Sequence, residues 1–499
     1  MARKKIAVVM THGMGEQIPM ETLRGFVESA WVTDSAVHWP NTPDDEKPGD
    51  IWFMPGEVAG SFELRRITTR WTKSRTAADA KGPRVDFFEF YWADLAEGTT
   101  VQEVYDWLAI LLFRSPRAVP KGLMGTWIAL WIAATIVMLS SIAAIWPFPG
   151  VWLHVFFAAV AAIVAYAMKY FVSPYLGDVA RYVRADPRNI AMRRAIRERG
   201  LKLLQDIHDS GDYERVIFVA HSLGTVVAYD VISLFWTMRR TAATVQENEP
   251  AFDRLREVEI AAHELAAATD ANRVSRRLAF REAQRALRLA LRSGGANGAG
   301  RTRTPDEEWL ISDLVTLGSP LTHAVFLLAR DAADLRDKYE RFLFPTNWPQ
   351  FQLVQTEQRQ KIDDRPVPPS SHILGPQGGL FSYFMKAPQT WSLHHAAPFA
   401  AVRWTNIYDP HHLIYRGDVI SGPVAPCFGE GIIDISLKDL RGQSRHFSHT
   451  LYWNPTANDP RGFHIQAMRN AIDLIDTPDS DLWQDMLPMI TRSTRARGP

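Results

Sequence analysis

The run Arg215-Val-Ile-Phe-Val-Ala-His-Ser-Leu-Gly-Thr-Val-Val-Ala-Tyr-Asp230 limits the fold of this chain more than any other segment. An apolar, β-branched stretch passes through Ala220-His-Ser-Leu-Gly224 straight into residues of helical character, with no room for a loop between. A turn that sharp needs small residues two before and two after its centre, and Ala220 and Gly224 meet that demand. Ser222 at its apex is held away from its own sheet, hydroxyl outward, with a helix N-terminus behind it. A strand feeding directly into a helix is the unit of a parallel α/β fold.

Other apolar runs repeat the unit. Ile6–Met10, Val85–Trp92, Leu314–Gly318, Arg403–Tyr408 and Ile432–Ser436 read as strands separated by helix-length segments. The fold class expected is therefore α/β, a mostly parallel sheet with helices on both faces. Residues 187–208 carry an apolar stripe opposite Arg188, Arg193, Arg194, Arg197, Arg199 and Lys202, an amphipathic helix leading into the serine-bearing strand. Residues 241–292 are helical in character, charged and rich in Ala and Leu, and end at the flexible breaker Gly294-Gly-Ala-Asn-Gly-Ala-Gly300. That segment is a cap over the serine or a peripheral helical pair; the residues leave both open. The stretch 340–400, dense in Pro, Gln and Ser, reads as irregular.

A second feature is the absence of Asp, Glu, Lys and Arg between Lys121 and Lys169. Two apolar stretches, 123–146 and 151–172, flank the turn Pro147-Phe-Pro-Gly150, and each is long enough to cross a hydrocarbon core of about 30 Å. Trp127, Trp146, Trp152 and Tyr170 lie near their ends, where amphipathic rings favour an interface. The link carries no charge, whereas Arg114, Arg117 and Lys121 precede the hairpin and Lys169, Arg181 and Arg184 follow it. This asymmetry puts both flanks on the cytoplasmic side. The expectation is an integral membrane protein, of a bacterial inner membrane, with its body in the cytoplasm. Small residues such as Gly122, Gly125 and Ala129 leave a homo-oligomer through the hairpin open.

Balanced charge, 56 basic against 55 acidic residues, points to no nucleic-acid partner. The single cysteine, Cys427, excludes an internal disulfide and suits a reducing compartment. The apolar run after Met1-Ala-Arg-Lys-Lys5 is too short for a secretion signal and reads as the first strand.

A serine hydroxyl becomes a nucleophile when a base takes its proton, and the base needs an orienting acid. The acid is expected just after a late strand. Asp409, closing Trp404-Thr-Asn-Ile-Tyr-Asp409 before Pro410, fits best; Asp418 and Asp434 compete from further along. His446 and His449 both follow the last strand, and spacing does not choose between them. His411 and His412 sit too near Asp409 to be the base. The oxyanion needs two backbone N–H donors. Leu223, directly after the serine, supplies one; Met14, in the Thr11-His-Gly-Met-Gly15 loop behind the first strand, supplies the other. His12 and His221 read as structural hydrogen-bonding residues, and no cofactor or metal is called for.

These motifs together resemble the α/β-hydrolase superfamily, in its lipase and esterase pattern. The matches are His12-Gly-Met-Gly15, Ala220-His-Ser-Leu-Gly224, Leu317-Gly-Ser-Pro-Leu321, Trp404-Thr-Asn-Ile-Tyr-Asp-Pro410 and Ser448-His-Thr-Leu-Tyr-Trp453. Ala220 departs from the family's first elbow glycine. In that pattern a histidine ahead of a Tyr-Trp pair is the base, so the resemblance favours His449. It implies a triad of Ser222, His449 and Asp409 that cleaves a carboxylic ester. A lipid ester is the expected substrate, because an anchor keeps the site near a bilayer. A thioesterase or acyltransferase acting on acylated proteins or carriers is the alternative, as is a catalytically silent scaffold. The corresponding division is 1–113 and 176–240 for the first parts of the hydrolase domain and 305–480 for its last. Residues 114–175 form the hairpin, 241–304 the helical insert and 481–499 a tail.

Overall fold

The computed structural model describes residues 4–13, 18–41, 47–55, 61–75, 80–96, 116, 124–146, 151–167, 182, 187–239, 244–292, 304, 307–347, 380–385, 390–410, 417–418, 420–437, 448–454 and 462–486. In chain order the strands are β1 (Lys5–Thr11), β2 (Ile51–Met54), β3 (Arg66–Lys73), β4 (Lys81–Phe90), β5 (Tyr213–His221), β6 (Thr244–Val245), β7 (Ile311–Leu317), β8 (Ser382–Met385), β9 (Thr390–Leu393), β10 (Arg403–Tyr408) and β11 (Ile433–Ser436). Eight of them make one sheet in the order β11-β10-β7-β5-β1-β4-β3-β2. From β11 to β4 every neighbouring pair is parallel, while β3 and β2 run antiparallel at one edge. Strands covered on both faces read as unbroken apolar runs. Accordingly every residue of β7 and β10 is buried, as is all of β1 beyond Lys5.

The helices that matter for the site are α1 (Glu21–Val27), α2 (Met124–Ile145), α3 (Val151–Ala167), α4 (Pro187–Asp209), α5 (Gly224–Met238), α6 (Pro250–Ala266), α7 (Arg273–Ala290) and α8 (Phe463–Ile472). The α4 helix leads into β5, and α5 starts two residues after it, as the strand–turn–helix pattern requires. The strand expectations at β1, β4, β5, β7, β10 and β11 are all met. Two pieces of strand also occur within 340–400: β8 and β9 pair antiparallel and, with β6, form a small three-stranded sheet.

The charge-free region contains α2 and α3, packed on each other, and the His154 ring donates to the Ala144 carbonyl at 2.7 Å across their turn. Among the described residues no helix is long and apolar enough to cross a membrane, so the expected crossing is not shown. Residues 123 and 168–172 of the expected spans lie outside the described residues, as do Arg114, Arg117, Lys121, Lys169, Arg181 and Arg184.

The insert α6–α7 does not sit over the serine. Arg281 of α7 donates to the Trp404 carbonyl at the start of β10, at 2.8 Å, and pairs with Asp479 at 2.8 Å. Arg285 and Arg288 pair with Asp476. These contacts hold α7 against the N-terminal ends of the parallel strands, whereas Ser222 follows the C-terminal end of β5. Of the two alternatives the sequence left open, these contacts fit the peripheral helical pair, here a brace on the opposite edge of the sheet.

Candidate active site

The C-terminal ends of six parallel strands lie side by side, and the chemistry-bearing residues leave from there. Ser222 follows β5 with φ 52°, a left-handed conformation that costs a non-glycine residue about 1–2 kcal/mol. Its N–H donates to the Leu317 carbonyl of β7 at 3.0 Å, which fixes the bend from outside. The turn is wedged against the loop after β1. A Cβ on Gly13 would lie 2.8 Å from Ser222 Cβ, and one on Gly224 would lie 2.3 Å from the His12 carbonyl oxygen. Both glycines are required by this close approach of elbow and loop, not by backbone freedom.

His449, in the segment after β11, places Nε2 2.7 Å from Ser222 Oγ. Its Nδ1 lies 2.9 Å from Asp418 Oδ2. With Nδ1–H donating to the carboxylate, Nε2 is left as an acceptor and the serine O–H is the donor. Ser222, His449 and Asp418 are all buried. Asp418 Oδ2 also accepts from Tyr452 Oη–H at 2.7 Å, and Oδ1 accepts from the Ile420 and Ser421 N–H groups at 2.9 and 3.3 Å. Burial alone would push this carboxyl upward. The His449 ring beside it and the hydrogen bonds from His449, Tyr452 and Ser421 outweigh that and hold it down to about 2.

The acid expected from the sequence was Asp409, and this is corrected. Asp409 is buried at the end of β10, but its Oδ2 accepts from Ser448 Oγ–H at 2.5 Å, one residue before the histidine. The chain then doubles back: the Asp418 N–H donates to the Asp409 carbonyl at 3.0 Å, and Pro410 and Asp418 form a parallel bridge. That pairing carries Asp418 alongside Asp409 and onto the ring, so the strand-end carboxylate holds the histidine's backbone neighbour while the later one holds the histidine. The third competitor, Asp434, is engaged elsewhere, accepting from Asn406, Val424 N–H and Ala425 N–H. His446, His411 and His412 lie outside the described residues.

Four further residues shape the site. Gly318, at φ 64° after β7, leaves space that a Cβ would fill, 2.7 Å from the Tyr452 ring, 3.1 Å from Asp418 Oδ2 and 3.3 Å from His449 Nδ1. Tyr452 stands three positions after His449 within the Ser448-His-Thr-Leu-Tyr452 run, and only the fold reveals its hydroxyl as a partner of the acid. The His221 ring nitrogen Nε2 lies 2.6 Å from the His449 carbonyl; since a carbonyl only accepts, Nε2 carries the proton. Burial and the neighbouring His449 ring push His221 down to about 3, so it stays neutral. His12 is likewise neutral, pushed by burial down to about 4. Its Nδ1–H donates to the Gly13 carbonyl at 2.8 Å, its Nε2 accepts from the Trp92 N–H at 3.0 Å, and its ring stacks on Trp92. Both histidines are structural, as their sequence context suggested.

Of the two residues expected to donate to an oxyanion, Leu223 is buried and stands at the N-cap of α5, where N–H groups have no intrahelical acceptor. Met14 lies outside the described residues. The arrangement can take a proton from a hydroxyl nucleophile and stabilise the resulting imidazolium. Among the described residues no group of His, Cys, Asp or Glu is set to hold a metal ion. No family model, curated relative or solved structure matches the chain.

Proposed function

We propose that this protein is a serine hydrolase of α/β-hydrolase type that cleaves carboxylic esters through an acyl-enzyme. The observation that carries the reading is the chain of contacts Ser222 Oγ–His449 Nε2–Asp418, at 2.7 and 2.9 Å, starting from a serine held at positive φ. Ser222 Oγ attacks the acyl carbonyl while its proton passes to His449 Nε2. Asp418 fixes the ring's tautomer and stabilises the imidazolium without itself taking the proton. The oxyanion is met by the Leu223 N–H and by a donor from the loop after β1, assigned to Met14. Collapse of the tetrahedral adduct expels the alcohol, which leaves with the imidazolium proton. Water then repeats the sequence in reverse and releases the acid.

The substrate class is a lipid ester, and the support for it is the α2–α3 hairpin. Ile128, Ile132, Ile136, Leu139, Ile142, Phe156 and Ile163 are exposed there, an apolar surface of the kind that a bilayer covers. We propose that this hairpin anchors the protein to a membrane and leaves the catalytic body in the cytoplasm.

A fluorophosphonate probe on the full chain tests the chemistry. Wild type should label and Ser222→Ala should not; equal labelling of both, or labelling of neither, overturns the reading. Flotation with phospholipid vesicles tests the anchor: the full chain should rise with the lipid, and a hairpin carrying Ile132→Asp and Leu139→Asp should not.

A further inference from the structure

On the edge of the sheet opposite Ser222, a cleft of about 190 Å³, partly open to solvent, lies between the starts of β1, β4 and β5, the end of α7 and residues 474–476. Five basic residues line it, Lys73, Arg75, Arg215, Arg288 and Arg292, against two acidic ones, Glu214 and Asp476. Arg288 is fully buried; among the described residues its Nη2 meets Asp476 at 3.0 Å, and its Nε and Nη1 have no acceptor. A buried guanidinium with two idle nitrogens leaves a deficit that an incoming anion can make good. Asp476 cannot supply more, because Arg215, Arg285 and Arg288 all draw on it. Glu214 meets Arg292 at 3.5 Å, and among the described residues no carboxylate pairs with Lys73. Burial lowers Arg288 to about 10 and the nearby Arg215, Arg403 and Arg292 add to that, with Asp476 opposing, the mark of a locally cationic setting.

We propose that this cleft is a phosphate-binding site, taking inorganic phosphate or the phosphate of a small phosphomonoester. Phosphate suits it because its oxygens can accept from several donors at once, and guanidinium and ammonium groups line this cleft. The site stands apart from the serine and is independent of the catalytic reading: it couples the brace α7 to the strands, so its ligand stabilises the fold.

Isothermal titration of the detergent-purified full chain with sodium phosphate, and separately with sn-glycerol 3-phosphate, tests the proposal. Saturable binding of one phosphate per chain is expected, retained in Ser222→Ala. Equal affinities assign the site to free phosphate; tighter glycerol phosphate assigns it to a phosphomonoester. Lys73→Ala and Arg292→Ala, which lie at the cleft's accessible side, should each weaken binding at least about tenfold without unfolding the chain. Arg288→Met should abolish binding. Absence of saturable binding by either probe, unchanged affinity in both Lys73→Ala and Arg292→Ala, or equal saturation by acetate overturns the proposal.

Discussion

The two ends of the parallel strands hold opposite kinds of polar chemistry. At the N-terminal ends, charge is dense and most of it is paired. Asp313 accepts from Arg215 at 2.6 Å and from Arg403 at 2.8 Å, while Asp479 accepts from Arg281 and Arg403 at 2.8 and 2.9 Å, all of them buried. At the C-terminal ends, Asp418 faces the His449 imidazole, and its other partners are a phenol and backbone amides. The backbone there is strained at Ser222, where the opposite edge is braced by ion pairs. The difference separates two uses of buried polarity. Guanidinium–carboxylate pairs lock α7 and the segment around Asp479 to the strands. A carboxylate that orients a histidine ring leaves one proton free to move.

Substitutions at each edge sharpen that division. Asp418→Asn should reduce kcat for a p-nitrophenyl ester by roughly 10⁴-fold, because the ring loses its correct tautomer, with little change in folding. Asp409→Asn should cost far less, on the order of tenfold, since its partner Ser448 only seats the histidine's neighbour. A larger loss at Asp409 than at Asp418 would return the strand-end carboxylate to the catalytic role. At the other edge, Asp313→Asn removes one partner from two buried guanidiniums and should cost about 3–5 kcal/mol of stability in chemical unfolding. The specific activity of the folded fraction should be unchanged; a parallel loss of kcat would show that the two edges are not separable.

A smaller effect concerns Glu89, buried near the end of β4. Burial pushes it up to about 7 against the Met20 N–H that it accepts, and its Oε1 has no partner among the described residues. A carboxyl raised in the folded state favours folding while it is protonated, below about pH 4, and that advantage fades as pH climbs through 7. Glu89→Gln should therefore flatten the fall in unfolding free energy between pH 5 and 8 by about 2–3 kcal/mol. An unchanged pH profile would mean that this group titrates alike in the folded and unfolded chain. Asp418 has the reverse sign: held at about 2, it stabilises the fold above about pH 4 and loses that contribution as pH drops toward 2.

The strands of the sheet's centre were legible because burial on both faces selects unbroken β-branched runs. Strands β2 and β3 were not, since Arg66–Lys73 mixes threonines with basic and aromatic side chains. There Arg70 and Arg84 lie over Trp52, an edge pattern that resembles a solvated loop. The nucleophile was legible because its requirement is local: Ala220 and Gly224 reveal the bend without knowledge of anything distant. The base emerged only through resemblance of the Ser448–Trp453 motif to a family pattern. The acid was misread because Asp409 and Asp418 leave the same strand, and the choice rests on a backbone pairing between them that no spacing encodes. The role of α7 was equally hidden. Arginines 273, 277, 281 and 285 recur every fourth residue, and the partners that meet them, Glu430 for the first two, Asp479 for the third and Asp476 for the fourth, lie more than a hundred residues away in the chain.

One bond reaches further than its size suggests. The imidazole preceding the nucleophile clasps the peptide carbonyl of the base, so two groups 227 residues apart in the chain are clipped together within a single residue of where they react. Thermal breathing of everything between them, hairpin and insert included, is thereby kept out of the reacting distance. Long segments can be spliced into this chain without detuning its proton transfer, provided that clip holds.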